Sequence, residues 1–315
     1  MKKLTLLLLA LLYVTLTYAY TERDLLQKQA DINRLKEILV LDRQWVTYPD
    51  YNDRAGWDRF LGTFKDEYIR RGEKRLNYQW QVVKATDYLA FERTGNRQIM
   101  EKPFGANNGA IADLLMAELA EGKGRFVDQL INGVFNACEM TSWALAAHII
   151  VQPSHRALPA YDYPVIDLTS GDLGGLLAWT YHFMRPSFDK VDPEISRRLR
   201  HELQTRILDP YMNNDSFWWM GRNYNGRMLN NWNPWCNSNA LMCFMLLEDN
   251  RDTLAKAVHL TMESVDKFLN YIKADGACEE GPSYWGHAAG KTLDYLELLS
   301  DITGDKVNIF NEPMI

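Results

Sequence analysis

The segment Asn230-Asn231-Trp232-Asn233-Pro234-Trp235-Cys236-Asn237-Ser238-Asn239 opens the most chemically loaded stretch of this chain. Asp275-Gly276-Ala277-Cys278-Glu279-Glu280-Gly281-Pro282-Ser283-Tyr284-Trp285 closes it. Apolar residues at helical spacing run between them, so the first cluster starts a helix and the second crosses a loop into the next. Five asparagines, three tryptophans, two glutamates and a tyrosine are more polar and aromatic groups than a plain helical turn needs. An asparagine amide supplies two hydrogen-bond donors with no competing negative charge, and a positioned tyrosine can exchange a proton. Side chains at two helix boundaries can face a common cleft, and the chemistry of the chain is expected there.

The elements that position these clusters are helical throughout. A helix from Thr21 to about Leu41 carries Leu25, Ile32, Leu35 and Ile38 on its apolar face. Further amphipathic runs cover about 55–71, 74–94, 109–121, 125–150, 169–185, 193–212, 233–248, 252–273 and 285–302. Turn residues separate them, among them Gly105-Ala106-Asn107-Asn108, Gly122-Lys123-Gly124, Asp192-Pro193 and Asp275-Gly276. No alternating strand of useful length is found, so the chain is expected to be all-α. Thr94-Gly95-Asn96-Arg97 and Thr303-Gly304-Asp305-Lys306 end helices in the same way, with a glycine C-cap. Repeated helix pairs of similar length suggest antiparallel hairpins in a ring, an α/α toroid; an irregular helical bundle is the alternative. Pro313-Met314-Ile315 reads as the first turn of an unfinished helix, as though the toroid were incomplete.

With 315 residues and 47% hydrophobic content the chain can bury a sizeable core. Lys2 and Lys3, the apolar run from Leu4 to Leu16, and Thr17-Tyr18-Ala19 read as a secretory signal over residues 1–19. The apolar run is shorter than the roughly 20 residues a membrane span needs. A periplasmic or secreted protein spanning 20–315 is therefore expected, without stable membrane insertion. The formal charge of −6 becomes −8 once Lys2 and Lys3 leave with the signal. No basic stripe or nucleic-acid motif accompanies it, so nucleic acid is not an expected partner. An anionic substrate stays open, because a cleft can be locally positive. Cys138, Cys236, Cys243 and Cys278 show no metal spacing. Neither a metal nor a cofactor is expected.

Asn231-Trp232-Asn233-Pro234-Trp235 followed by Glu280-Gly281-Pro282-Ser283-Tyr284-Trp285 resembles the heparinase II/III-like family of polysaccharide lyases. The likeness covers most of the mature chain. Cys138-Glu139-Met140-Thr141-Ser142-Trp143, followed by Ala147-His148, is similar to the family's helix that carries a tryptophan and a histidine into the cleft. Pro164-Val165-Ile166-Asp167-Leu168 and Leu177-Ala178-Trp179-Thr180-Tyr181 are also family-like. The resemblance implies an α/α toroid, followed in the family by β-sandwich domains, and β-elimination of uronic-acid-containing polysaccharides such as heparan sulfate or alginate. The β part, which supplies a further histidine in the family, has no counterpart in these residues.

Elimination makes sense of the residue types. The uronate carbon beside the carboxylate holds a weakly acidic proton until that carboxylate is neutralised by donors; a base and a leaving-group acid must then act. By their place in the motif, Asn230 or Asn231 is expected to neutralise the carboxylate, supported by Asn233. Tyr284 is expected as base, acid or both. Its reference pKa is about 10, so a base role calls for a cation, with Arg222 and Arg227 nearest in sequence. Glu280 is expected to orient the site. Trp143, Trp232, Trp235, Trp285 and His148 are the expected substrate contacts, since sugar rings present apolar faces that stack on aromatics.

Blander readings stand beside these. Asparagine caps helices well, tryptophans fill cores, and His148 on an apolar face suits a hydrogen-bonded core residue. Arg197, Arg198, Arg200 and Arg206 read as a solvated helix face. One rival function is an α/α-toroid glycoside hydrolase, for which Asp215 with Glu279 or Glu280 is the best carboxylate pair. The other is a glycan-binding protein without catalysis.

Overall fold

The computed structural model describes residues 22–223, 228–273, 275–278 and 280–315. The expected leader at 1–19, Arg227 and Glu279 lie outside the described residues. Among the described residues every regular element is helical and there is no strand. None of these helices is long and apolar enough to cross a membrane. The described residues divide into two compact units: those within Met1–Val40, Asp215–Leu241 and Asn250–Ile315 form one, those within Leu41–Asn214 and Met242–Asp249 the other.

In order, the α-helices are Ile32–Ile38 (α1), Arg54–Leu61 (α2), Lys65–Glu73 (α3), Ala85–Thr94 (α4), Gln98–Glu121 (α5) and Val127–Glu139 (α6). They continue as Leu168–Val191 (α7), Pro193–Leu203 (α8), Asp209–Asn213 (α9), Trp232–Leu247 (α10), Arg251–Leu269 (α11) and Trp285–Thr303 (α12). The first helix is far shorter than the expected run from Thr21 to Leu41, because residues 25–29 form turns.

In the larger unit, α3 lies against α5 at Gly72. A Cβ there would fall 2.2 Å from the Ala117 Cβ, so only glycine permits the approach. Asp113 on α5 takes both Arg71 (2.6 Å) and Arg75 (2.9 Å). The fully buried Glu118 accepts the Tyr51 hydroxyl at 2.6 Å and the Gly124 N–H at 2.8 Å. Burial and this bond push the Tyr51 phenol up to about 12.

Two sequence expectations fail in this unit for one reason. The turn expected at 105–108 is helical, and the helix expected from 74 begins only at Ala85. Asn107 accounts for both. Its amide donates to the Gln81 carbonyl (2.8 Å) and Asn136 Oδ1 (3.0 Å), while its oxygen accepts from Gln81 N–H (3.0 Å) and the Tyr78 hydroxyl (3.1 Å). All of the amide's hydrogen-bonding capacity thus holds residues 78–81 out of a helix.

The helix expected to reach 150 stops at Glu139. There the Trp143 indole donates to the Ala137 carbonyl (2.8 Å) and Arg206 Nη2 to the Met140 carbonyl (2.7 Å), which supplies the C-terminal carbonyls with donors. The run expected over 193–212 is interrupted by a π-helical segment, Gln204–Leu208, closed by the Asp209 N–H bonding to the Gln204 carbonyl. Pro210 has no N–H for the Arg206 carbonyl four residues back, and a wider turn follows.

In the smaller unit, α1 packs on α11. The buried Asp266 accepts Leu26 N–H and Gln27 N–H, each at 3.0 Å, and burial raises its pKa. Asn270 Oδ1 accepts Arg23 N–H at 2.8 Å, so the described start of the chain is fastened along α11. Tyr295 of α12, fully buried, meets Thr261 of α11 through its hydroxyl at 3.0 Å. All four cysteines are free thiols.

Candidate functional site

The two motif clusters meet at the start of α10. The first N–H groups of a helix have no partner within it, and here each is supplied from one of the clusters. Asn230 Oδ1 accepts the Trp232 N–H at 3.1 Å, and the Asn230 carbonyl accepts the Asn233 N–H at 3.0 Å. Glu280 Oε2 accepts the Asn231 N–H at 2.7 Å, joining segments 49 residues apart. A carboxylate is favoured at this end of a helix, and its charge strengthens the bond.

The asparagines below this cap face the interior. Asn231 is buried and Asn233 fully so. Asn233 Nδ2 donates to the Trp219 carbonyl (2.7 Å) and the Ser264 carbonyl (2.9 Å). One helical turn on, the buried Asn237 donates to the Asn233 carbonyl (2.7 Å) and Ser264 Oγ (2.9 Å). Asn233 therefore acts from beneath, holding the Trp218–Met220 turn and α11 against α10.

The exposed part of the site is aromatic and basic. Gly281 turns the chain with φ +69°, ψ −172°, a conformation essentially reserved for glycine, and Pro282–Tyr284 follows as a 3-10 turn. That turn presents Tyr284 with 47% of its surface exposed. The Tyr284 ring lies 5.6 Å from the His287 ring, and His287 stacks on Trp235 at 5.1 Å and 14°. Lys291 Nζ sits 5.4 Å from the Trp235 ring centroid and 3.0 Å from Asp294. Trp232 is half-buried against Trp218 at 5.4 Å. Trp285, 69% exposed, borders a separate apolar cavity of about 520 Å³ with Cys278, Phe268 and Met314.

Sequence reasoning missed His287 and Lys291. Both were findable: Tyr284, His287 and Lys291 recur at steps of three and four, the spacing of one helix face. The cations expected near Tyr284 were arginines instead. Arg222 pairs with Asp215, and the two lie seven residues apart. Asp215 and Glu280, the carboxylates considered for hydrolysis, thus hold Arg222 and the start of α10.

Trp143 and His148 belong to the other unit. Trp143 is buried, with the Arg206 guanidinium 5.1 Å over its ring. His148 Nδ1 lies 2.7 Å from the fully buried Asp167, and its Nε2 lies 3.1 Å from Arg97 Nη2. An arginine can only donate, so Nε2 accepts and Nδ1 carries the proton that Asp167 receives as a hydrogen bond. Asp167 also caps α7 through the Ser170 N–H (2.8 Å) and takes the Leu145 N–H (3.1 Å). Among the described residues no group of three or more histidine, cysteine, aspartate or glutamate side chains is placed to hold a metal.

No protein-family model matches the chain, and neither does any curated protein.

Proposed function

We propose that this chain is an exported polysaccharide lyase of the heparinase II/III-like kind, an α/α toroid that opens uronate-bearing glycans by β-elimination. The observation that carries the reading is the Tyr284–His287–Trp235 cluster beside the Asn230-capped start of α10. It puts two proton-transfer groups next to an aromatic platform and an amide. The motif resemblance supports the same reading.

In this reaction Tyr284 or His287 takes the proton from the carbon bearing the uronate carboxylate. The electron pair left behind forms the C4–C5 double bond, the C4–O bond breaks, and the departing oxygen takes a proton from the other group. Asn230, whose oxygen is engaged by the Trp232 N–H, offers its NH2 to the substrate carboxylate, with the Lys291–Asp294 pair beside the Trp235 ring. Trp235 and Trp285 serve as sugar platforms. Asn231 and Asn233 position this surface from the interior.

The test is ultraviolet absorbance during incubation with heparan sulfate, alginate and other uronate polysaccharides. Elimination leaves an unsaturated, absorbing uronate, whereas hydrolysis and binding do not. Signal from the native protein that is lost in Tyr284→Phe supports the reading. New reducing ends without absorbance would transfer the case to hydrolysis.

A further inference from the structure

The larger unit contains a second pocket, of about 250 Å³, whose lining includes Thr141, Ser142, Trp143, Tyr161, Tyr163 and Thr205. We infer that this pocket is a binding site for a single uncharged sugar ring, separate from the elimination chemistry and independent of it. Three observations converge on it.

The first is the backbone. The π-helical segment Gln204–Leu208 carries Thr205 and Arg206 into the pocket wall. Single π turns concentrate at functional sites, because the wider turn re-aims side chains at some loss of helix regularity. The second is Tyr161, which is 90% exposed at the pocket edge. A large aromatic left in water beside a cavity offers a stacking face to the apolar side of a pyranose.

The third is charge. Arg206 was expected on a solvated helix face, yet its side chain is only 18% exposed. Its Nε pairs with Glu202, and its other nitrogens donate to the carbonyls of Met140 (2.7 Å) and Thr141 (3.2 Å). Glu202 is also held by Arg198 at 2.8 Å. Arg198 in turn pairs with Glu139, so two guanidiniums face two carboxylates, and Arg206 directs its N–H groups to four acceptors, the Cys138 carbonyl (3.4 Å) among them; the pocket is therefore poorly suited to phosphate or sulfate. The remaining polar lining includes His201 and the hydroxyls of Thr141, Ser142, Tyr161, Tyr163 and Thr205, of which Thr205 donates to the His201 carbonyl (3.0 Å) and keeps its lone pairs to accept; such a mixed set matches a polyhydroxylated ring. The volume falls below the roughly 300–1,000 Å³ of drug-sized clefts, which limits the ligand to one ring.

The experiment is titration of the full chain with methyl glucoside, methyl galactoside, methyl mannoside and methyl glucuronide, read by tryptophan fluorescence and calorimetry. Saturable binding is expected for at least one neutral glycoside, stronger than for the glucuronide. Tyr161→Ala is expected to weaken it about three- to tenfold, the equivalent of one lost aromatic contact. Thr205→Val is expected to weaken it as well, both variants keeping the native melting temperature. Tyr284→Phe is expected to leave it unchanged, which separates this pocket from the proposed lyase centre. No saturable binding by any neutral glycoside, binding that survives both pocket variants, or preference for the glucuronide would overturn the assignment.

Discussion

Replacing Asn233 with alanine removes a side chain that donates to two backbone carbonyls at once, those of Trp219 and Ser264. Withdrawing one hydrogen bond from a buried carbonyl that keeps another partner costs about 1–2 kcal/mol, so the pair amounts to about 2–4 kcal/mol. Part of this is returned. Asn233 Oδ1 is itself buried with no hydrogen-bond partner among the described residues, and its removal recovers about 1–2 kcal/mol. Ser264 Oγ keeps its bond from Asn237 and adds nothing to the loss. The net destabilisation is about 1–2 kcal/mol, which at about 2–4 °C per kcal/mol for a domain of this order lowers the melting temperature by about 2–8 °C. Differential scanning calorimetry of Asn233→Ala and the native chain measures it directly. A shift of less than about 2 °C, or a stabilisation, would refute the argument that this amide is what holds the Trp218–Met220 turn and α11 to α10.

Gly281→Ala tests the turn that presents Tyr284. Among the described residues no atom lies within 4 Å of an added Cβ, so the expected loss of about 1–3 kcal/mol comes from the backbone conformation. Chemical denaturation checks that loss, and absorbance assays are expected to show a fall in any elimination activity. His182 provides a pH test. Burial, and then the charge of Arg43, lower its pKa, so the unfolded chain binds its proton first as pH falls. Stability is therefore expected to be full above the ordinary histidine range near 6.5 and to decline on acidification through it. Melting temperatures across that range should show the decline, with less of it in His182→Gln; an equal decline in both would exclude His182 as its source. The thiols offer a fourth check. Cys138, Cys236 and Cys243 are buried, and burial pushes Cys138 and Cys243 up to about 12, while Cys278 is partly exposed. One thiol is expected to react quickly with an aromatic disulfide reagent in the native protein, and all four after unfolding. Peptide mapping identifies the fast one, and reaction first at a buried cysteine would contradict the packing.

The sequence by itself determined the helical class and most helix positions, because the apolar period and the caps are local. The expected 252–273 became Arg251–Leu269, capped by the Asn250 side chain on the Thr253 N–H, and 285–302 became Trp285–Thr303, ended by Gly304. It also marked the two clusters that Glu280 and Asn231 join. Tertiary structure decided whatever depended on partners distant in sequence. Asn107 reads as a turn residue on its own, and only the non-helical segment at 78–81 that it satisfies makes it a helix residue. The asparagine row looked uniform as a string, yet Asn230 caps the helix near the surface while Asn233 and Asn237 are buried beneath Trp219 and Ser264. Which amide faces substrate and which faces the core is set by the side of the helix on which other segments pack. A sequence carries the periodicity of a helix, but the direction in which that helix is covered belongs to the assembled fold.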